Sequence, residues 1–596
     1  MERENNTPRK DLLHTAMKRV ILSPTTWCLL ITIDFVLTTN LRTLVDHVGD
    51  PDDAARLLSV RELLHGAPWF DTTLPRIGAP VALVSHWSRL IDAPLALLIG
   101  GLTPLLGSER AELLTRIVWP VMLLFALQLI VVREARRRGG VWAAGLALVF
   151  AMTSITASVQ FSPGRIDHHN AIILCTIGGL LFLERSMTDP RAGWSAGVLL
   201  GLALSIGYEP IALILPALAA AALIGVLMGD VTPAARAVTA ATVTMLLALV
   251  ATVRSSQWIP IHCDALAINA PLAFACCAVG LWVAGRAGQG RIGRVAIVGT
   301  SALLAVVLFA ALEPACLRGP FAQVSPELRR LWMDHVVETK SVLTIIEGNA
   351  PLGWSFIVFA AAGAIAQIAQ TRRRPDAASV LAAFIAVVAF VLGCWQVKLM
   401  PYASWFAAIS LAVYVAHLGA VRQLSIGVTY TMAAGLLSQA TLMAVLVAAR
   451  GSARRAMDPP AANDGVIGGS CLDLRSFAPL SQLPPGLVAG DLELGPYIAV
   501  ATSHRVVAAP YHRLEAGILA NHAILTAPPD QAVQEIRKLG VNYVAVCQAL
   551  ADRRQAVEGV IPNSLWARLL RNERVDFLSE VTPDASAPIR IWKVRQ

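Results

Sequence analysis

Apolar runs of about 20 residues recur from Ile21 to Ala449, each long enough to cross the ~30 Å hydrocarbon core of a bilayer. A soluble core would show shorter, amphipathic segments. The composition agrees, at 56% hydrophobic and only 15% charged residues. The expected fold class is an α-helical polytopic membrane protein over residues 1–450, followed by a small soluble α/β domain over 451–596. The expected spans are 21–39, 113–132, 140–160, 170–187, 191–208, 210–228, 234–253, 265–284, 295–312, 351–370, 377–395, 399–417 and 426–449, thirteen in all. The run 91–107 is also apolar, but Pro94 and Pro104 interrupt it, so it reads as a helix lying in or on an outer loop.

Loop charge orients the chain. With the N-terminus cytoplasmic, the inner connectors include REARRRGG (133–140), GRAGQGRIGR (285–294) and QTRRRPD (370–376), all basic, as the positive-inside rule requires. Counting 91–107 as a span would put the arginines at 136–138 outside. The N-terminus adds Arg3, Arg9, Lys10, Lys18 and Arg19 with no small-residue cleavage site after the first apolar run, which reads as a retained helix. These loops account for much of the net charge of +9, so no nucleic-acid partner is implied. The same topology puts the long polar loops 40–112, 161–169 and 313–350, and the C-terminal domain, on the outer face. The localisation this predicts is the bacterial inner membrane, with a periplasmic C-terminal domain.

Each outer loop carries groups able to do chemistry. In VGDPDDAARLLSVRELLHGAPWFD (48–71), DPDD suits a helix N-terminus, where carboxylates meet unpaired N–H groups; alternatively one of Asp50, Asp52 and Asp53 points at a metal or a substrate proton. In FSPGRIDHHNAIIL (161–174), Asp167 and His169 stand two apart and can reach one cation; carboxylate plus imidazole suits Mn²⁺, Mg²⁺ or Zn²⁺, with oxygen partners favouring the first two, and the segment can equally cap the next helix. In VVETKSVLTIIEGNAPLGW (336–354), Glu347 precedes a span. SHWSRLIDAP (85–94) offers His86, Trp87 and Arg89, as substrate contacts or as interfacial anchors. Glu209, in GYEP, ends a span and reads as interfacial.

Taken together, these motifs resemble the GT-C membrane glycosyltransferases, and among them the catalytic subunit of oligosaccharyltransferases. In that family a metal-binding aspartate in the first outer loop precedes an arginine by nine residues, the spacing of Asp52 and Arg61 here. The Asp52-Asp53 pair is also similar to an Asp-Glu pair of related lipid A and protein mannosyl enzymes. Asp167-His168-His169 looks like the archaeal form of the second-loop motif, with Asp167 and His169 as ligands and His168 beside the substrate. Thr344-Ile345-Ile346-Glu347 fits the TIxE motif, and Lys398, in WQVKLMPY, resembles the basic residue that meets the donor phosphate. The family's WWD motif, which reads the Asn-x-Ser/Thr acceptor, does not occur in this chain.

The resemblance implies transfer of a sugar or oligosaccharide from a polyprenyl phosphate or diphosphate to a glycan, lipid or protein acceptor, with inversion. A divalent cation, Mn²⁺ or Mg²⁺, offsets charge on the leaving phosphate. Asp52 takes the acceptor proton, with Asp53 and Asp50 as rivals, and Glu347 orients the acceptor. The missing WWD makes monosaccharide transfer to a lipid or surface polysaccharide the competing reaction. A lipid-sugar flippase is the non-enzyme alternative, but transporters concentrate ionisable groups within spans, whereas here the carboxylates gather in loops.

The tail reads as strands at LVAGDL, YIAVATSHRVVAA, VNYVAV, VDFLSEV and IRIWKV and helices at DQAVQEIRKLG and SLWARLLRNE, after a linker at 456–465. SHRVVAAPYHR (503–513) offers His504, Arg505, Tyr511, His512 and Arg513 to an acceptor, or forms a solvated loop. Nine cysteines show no zinc-like spacing. Cys28, Cys175, Cys276, Cys277 and Cys394 read as small core residues. A Cys471–Cys547 disulfide is expected only if the tail meets an oxidising compartment.

Overall fold

The computed structural model describes residues 23–259, 261–286, 290–454, 471–550, 561–582 and 587–595. The basic residues of the N-terminus and the 456–465 linker lie outside the described residues. Every expected span falls on a helix. Pro24–Thr38 comes first, and the long helix Ser108–Met152 is divided at Gly140, whose φ of 79° breaks the ladder. His169–Ser186, Ala192–Ile206, Ile211–Met228, Thr232–Thr252, Asn269–Arg286 and Arg291–Leu312 follow. Ala350–Arg373, Ala377–Trp395, Met400–Val421 and the bent pair Ile426–Leu437 and Gln439–Arg454 complete the bundle. Among the described residues eight helices are long and apolar enough to cross a membrane by themselves. The chain is an integral membrane protein.

One of those eight, Arg89–Leu106, begins and ends at the same end of the bundle. Arg116, one turn into the next span, donates to the backbone carbonyls of Leu44 and His47 in the first loop, and its own carbonyl accepts from Gly164 N–H at 2.8 Å. Residue 116 is therefore level with the first and second loops. The helix before it is a return, as the prolines suggested.

The tail domain packs onto this end. Its five-stranded sheet runs Arg505–Val506, Leu487–Gly490, Val541–Cys547, Ile589–Val594, Leu578–Glu580; the first three strands are parallel and the last two add on antiparallel. The stretch YIAVA is a helix, Gly495–Ala501, not a strand. Pro496 presets its first turn, and the apolar run is buried nearly all round, which removes the period that separates helix from strand. First-loop residues extend the sheet edge: Gly78 N–H and Ala79 N–H donate to Val506 O and Val507 O, and Val506 N–H donates to Arg76 O. Tyr497 and Tyr511 donate to the carbonyls of Gly49 and Pro51. One hydrophobic cluster joins Leu57, Leu58 and Trp87 to Tyr497, Ile498 and Tyr511, so the tail and the first loop share a core. Disulfides Cys471–Cys547 and Cys263–Cys316 both lie at this end; the second was not foreseen.

Candidate active site

Three backbone choices build the site. Pro51 starts the helix Pro51–Leu64 behind the N-cap Asp50, whose Oδ1 accepts from the N–H groups of Asp52 and Asp53 at 3.0 and 3.1 Å. Gly49 lets the chain pass close: a Cβ there would lie 2.0 Å from Asp53 Oδ2. In the second loop Gly164, at φ +103°, turns the chain so that Arg165 and Asp167 face back toward the first.

These turns give the three first-loop aspartates different work. Asp53 is wholly buried; its Oδ2 closes the capping box on Asp50 N–H at 3.0 Å, and its Oδ1 accepts from Ile166 N–H and Asp167 N–H at 2.7 and 2.9 Å. Arg165 pairs with Asp53 at 2.9 Å and with Asp50. Burial pushes the Asp53 carboxyl up to about 7, against the pull of Arg165. Its contacts are those of a stitch between loops, not of a proton acceptor. Asp52 makes no hydrogen bond through its carboxylate among the described residues and faces a cavity of about 490 Å³. Burial, then the neighbouring Asp167 and Asp50 carboxylates, raise it well above the usual range.

Across that cavity stand His168, His169 and Glu209, with Asp167 just behind. Glu209 grips both imidazoles: Oε1 lies 3.0 Å from His168 Nε2, and Oε2 lies 3.0 Å from His169 Nδ1. His168 Nδ1 is bound to Asp167 Oδ1, so both its ring nitrogens are occupied. His169 Nε2 points instead at Asp167 Oδ2, 3.2 Å away, a buried oxygen with no hydrogen-bond partner. Burial opposes ionisation of Asp167 and Glu209, yet the two imidazoles hold both carboxyls well below the ordinary range.

The same cavity takes in His86, Lys398 and Glu338. Lys398 rests over the Phe321 ring, 5.2 Å from its centroid, and the fifth outer loop counted along the chain, residues 313–350, is tied beside it by Val397 N–H donating to Lys340 O. From the tail domain Asp491, Glu493 and Tyr511 complete the wall; Asp491 follows the strand Leu487–Gly490 at its carboxyl end. Parallel strands present ligand sites at such ends.

Other sequence-selected residues lie elsewhere. Arg61 forms a fork on Glu112 at 2.8 and 2.7 Å and donates to Val500 O, clamping the tail domain. Arg89 is buried and bound to Asp92 at 2.8 Å, beside Arg56. Neither reaches the cavity. Trp87 is buried under Arg56, not anchored at a membrane surface. Thr344 and Glu347 sit on the short helix Val342–Gly348, with Glu347 exposed and outside the cavity wall. Glu209, read as interfacial, is instead the brace of the histidine pair. Its signal was faint: an acid beside the proline that caps the next helix, about 40 residues from its partners. Glu338 was overlooked in favour of the better motif nine residues later.

No family model matches the sequence, and no curated protein does. Solved structures do. The oligosaccharyltransferase AglB of Archaeoglobus fulgidus, bound to an inhibitory peptide and a dolichol-phosphate, aligns at a TM-score of 0.59 and 16% identity over 90% of this chain and 72% of that one. The same enzyme tethered to an acceptor peptide with the NVT sequon aligns at 0.63 and 15%, over 91% and 72%. Its complex with Zn and sulfate aligns at 0.54 and 14%, over 91% and 70%. The chain shares the fold of this archaeal enzyme. In this chain the loops between spans and the C-terminal domain meet at one end of the bundle, around Asp52 and Asp167.

Proposed function

We propose that this protein is a membrane glycosyltransferase that moves a sugar or oligosaccharide from a polyprenyl phosphate or diphosphate to an acceptor, at the membrane face turned away from the cytosol. The observation that carries the reading is the opposition, across one cavity, of the unpartnered Asp52 carboxylate and the Glu209-braced Asp167–His169 pair, with Lys398 in the same wall. Lysine beside a leaving phosphate supplies fixed positive charge where negative charge develops. Asp52, lacking other partners, is free to take the proton of an attacking acceptor. Glu338, in the same wall, is the fifth-loop carboxylate able to orient that acceptor.

Asp167 Oδ2 and His169 Nε2 fit a divalent cation. The oxygen is buried and lacks a hydrogen bond, and the imidazole's far nitrogen is fixed by a carboxylate, as in metal-bound histidines. The side chains whose ligand atoms already lie within 4.8 Å of one another are Asp167, His168 and His169; Asp52, on the facing wall of the same cavity, is the further donor proposed. A bound Mn²⁺ or Mg²⁺ would act there as a Lewis acid on the departing phosphate. The archaeal enzyme's Zn complex agrees with metal occupancy in this fold.

A lipid carrier is supported by an apolar groove of about 870 Å³ between Ile211–Met228, Asn269–Arg286 and Arg291–Leu312. It runs from Leu223 up to Tyr208 and Pro320, the chain neighbours of the cavity residues Glu209 and Phe321. Two disulfides at this end agree with an oxidising, extracytoplasmic compartment, and basic connectors at the other end agree with the cytosol. The C-terminal domain is then periplasmic and roofs the site. The absent WWD favours an acceptor other than the Asn-x-Ser/Thr sequon: a lipid or surface polysaccharide taking a monosaccharide. Mass spectrometry of surface glycans, lipids and glycoproteins from cells lacking the chain tests this. One glycan should vanish and return with wild-type protein but not with Asp52→Asn; an unchanged profile overturns the reading.

A further inference from the structure

A second group of metal-ligating side chains lies beside the Trp87 ring, which stands 6.0 Å from His168 on one side and 6.0 Å from His86 on the other. It consists of His86, Asp264 and His512. They come from three separate parts of the chain: the first loop, the loop held by Cys263–Cys316, and the tail domain. One ligand atom from each lies within 4.8 Å of the other two.

The details favour a cation over a plain ion pair. His512 Nε2 is 2.7 Å from Asp264 Oδ2, and His86 Nδ1 approaches the same oxygen at 3.9 Å. His86 makes no hydrogen bond through its ring among the described residues, although its side chain is only 22% exposed. Such an imidazole, with a nitrogen near a carboxylate oxygen and no hydrogen bond of its own among the described residues, is placed to ligate a cation. Ligands bound tetrahedrally to zinc stand about 3.3 Å apart, given bonds of about 2.0–2.1 Å, so small side-chain shifts suffice. Arg513 donates to both Asp264 oxygens at 2.7 Å. Its bond to Oδ1 persists when Oδ2 turns to a metal, as the outer partner of a ligating carboxylate.

We infer that His86, Asp264 and His512 form a second cation site, distinct from the one at Asp167 and His169, which takes Zn²⁺ or a similar transition ion and pins the tail domain over the cavity. Two imidazoles select such an ion over Mg²⁺ or Ca²⁺. Because the ligands lie on three segments, the ion cross-links them.

The test uses the full chain purified in detergent, stripped with chelator, re-loaded with Zn²⁺ or Co²⁺ and washed. Metal content is read by mass spectrometry and Co²⁺ coordination by its visible absorption. Wild type should hold one more equivalent than His86→Ala or His512→Ala, and Asp167→Asn should retain the His86-dependent equivalent. His86→Ala removes no hydrogen bond, so it should fold; an unchanged melting temperature in metal-free buffer checks this. Equal Zn²⁺ in wild type, His86→Ala and His512→Ala overturns the site, as does loss of this equivalent in Asp167→Asn alone. Neither result bears on sugar transfer, which is read separately.

Discussion

Asp53 Oδ1 accepts the backbone N–H of Asp167 at 2.9 Å, so the carboxylate beside the proposed base holds the second-loop motif in position. Removing it leaves two buried N–H groups and part of Arg165 without a partner. Asp53→Ala should destabilise the protein by about 3 kcal/mol, seen as a lower melting temperature in detergent. Asp52→Asn should leave that temperature unchanged and slow transfer by about 10²–10⁴-fold. Equal stability of the two variants would contradict this division of labour.

Glu209 orients His169 through Nδ1, leaving Nε2 toward Asp167. Glu209→Gln keeps the size but loses the charge that fixes the ring. The Mn²⁺ concentration giving half-maximal transfer should rise by about 10–100-fold, with activity recovering at high Mn²⁺. An unaltered metal dependence would mean Glu209 is only a packing group.

The outer loop 313–350 holds four glutamates, Glu313, Glu327, Glu338 and Glu347, and of these Glu338 lines the cavity. Glu338→Ala should lower kcat/KM for the acceptor by about 10²-fold, the scale expected when a reacting group loses its orientation. Glu347→Ala should stay within about twofold, since exposed groups away from the reacting atoms contribute little. The reverse order in steady-state assays would restore the TIxE assignment.

Lys398 lines the cavity and rests over Phe321, the chain neighbour of the groove residue Pro320. Lys398→Ala should reduce turnover by about 10²–10³-fold, as loss of a fixed charge at a leaving oxygen does. Lys398→Arg should retain much of it. Similar losses in both variants would point to packing on Phe321 instead.

Much of this architecture was legible in the chain. Span length is a property of bilayer thickness, so each expected span falls on a helix, and Pro94 and Pro104 marked the returning one. Asp167 and His169 stood out because two ligating groups two residues apart meet without help from the fold. Asp50, Asp52 and Asp53 were not separable, because capping and free carboxylates look alike until the partner loop is present. Arg61 and Arg89 have the charge of substrate ligands but face Glu112, which only packing brings near, and Asp92, one helical turn on in the same helix. Glu209 and the Cys263–Cys316 pair depend on helices closing around them, and no local pattern announces that.

The most direct test of the central claim is anomalous X-ray scattering from crystals of the full chain soaked in Mn²⁺, recorded at the manganese edge. The account predicts a peak bounded by Asp52, Asp167 and His169 that disappears in Asp167→Asn. Absence of density there in the wild type, with Mn²⁺ bound elsewhere, would contradict it.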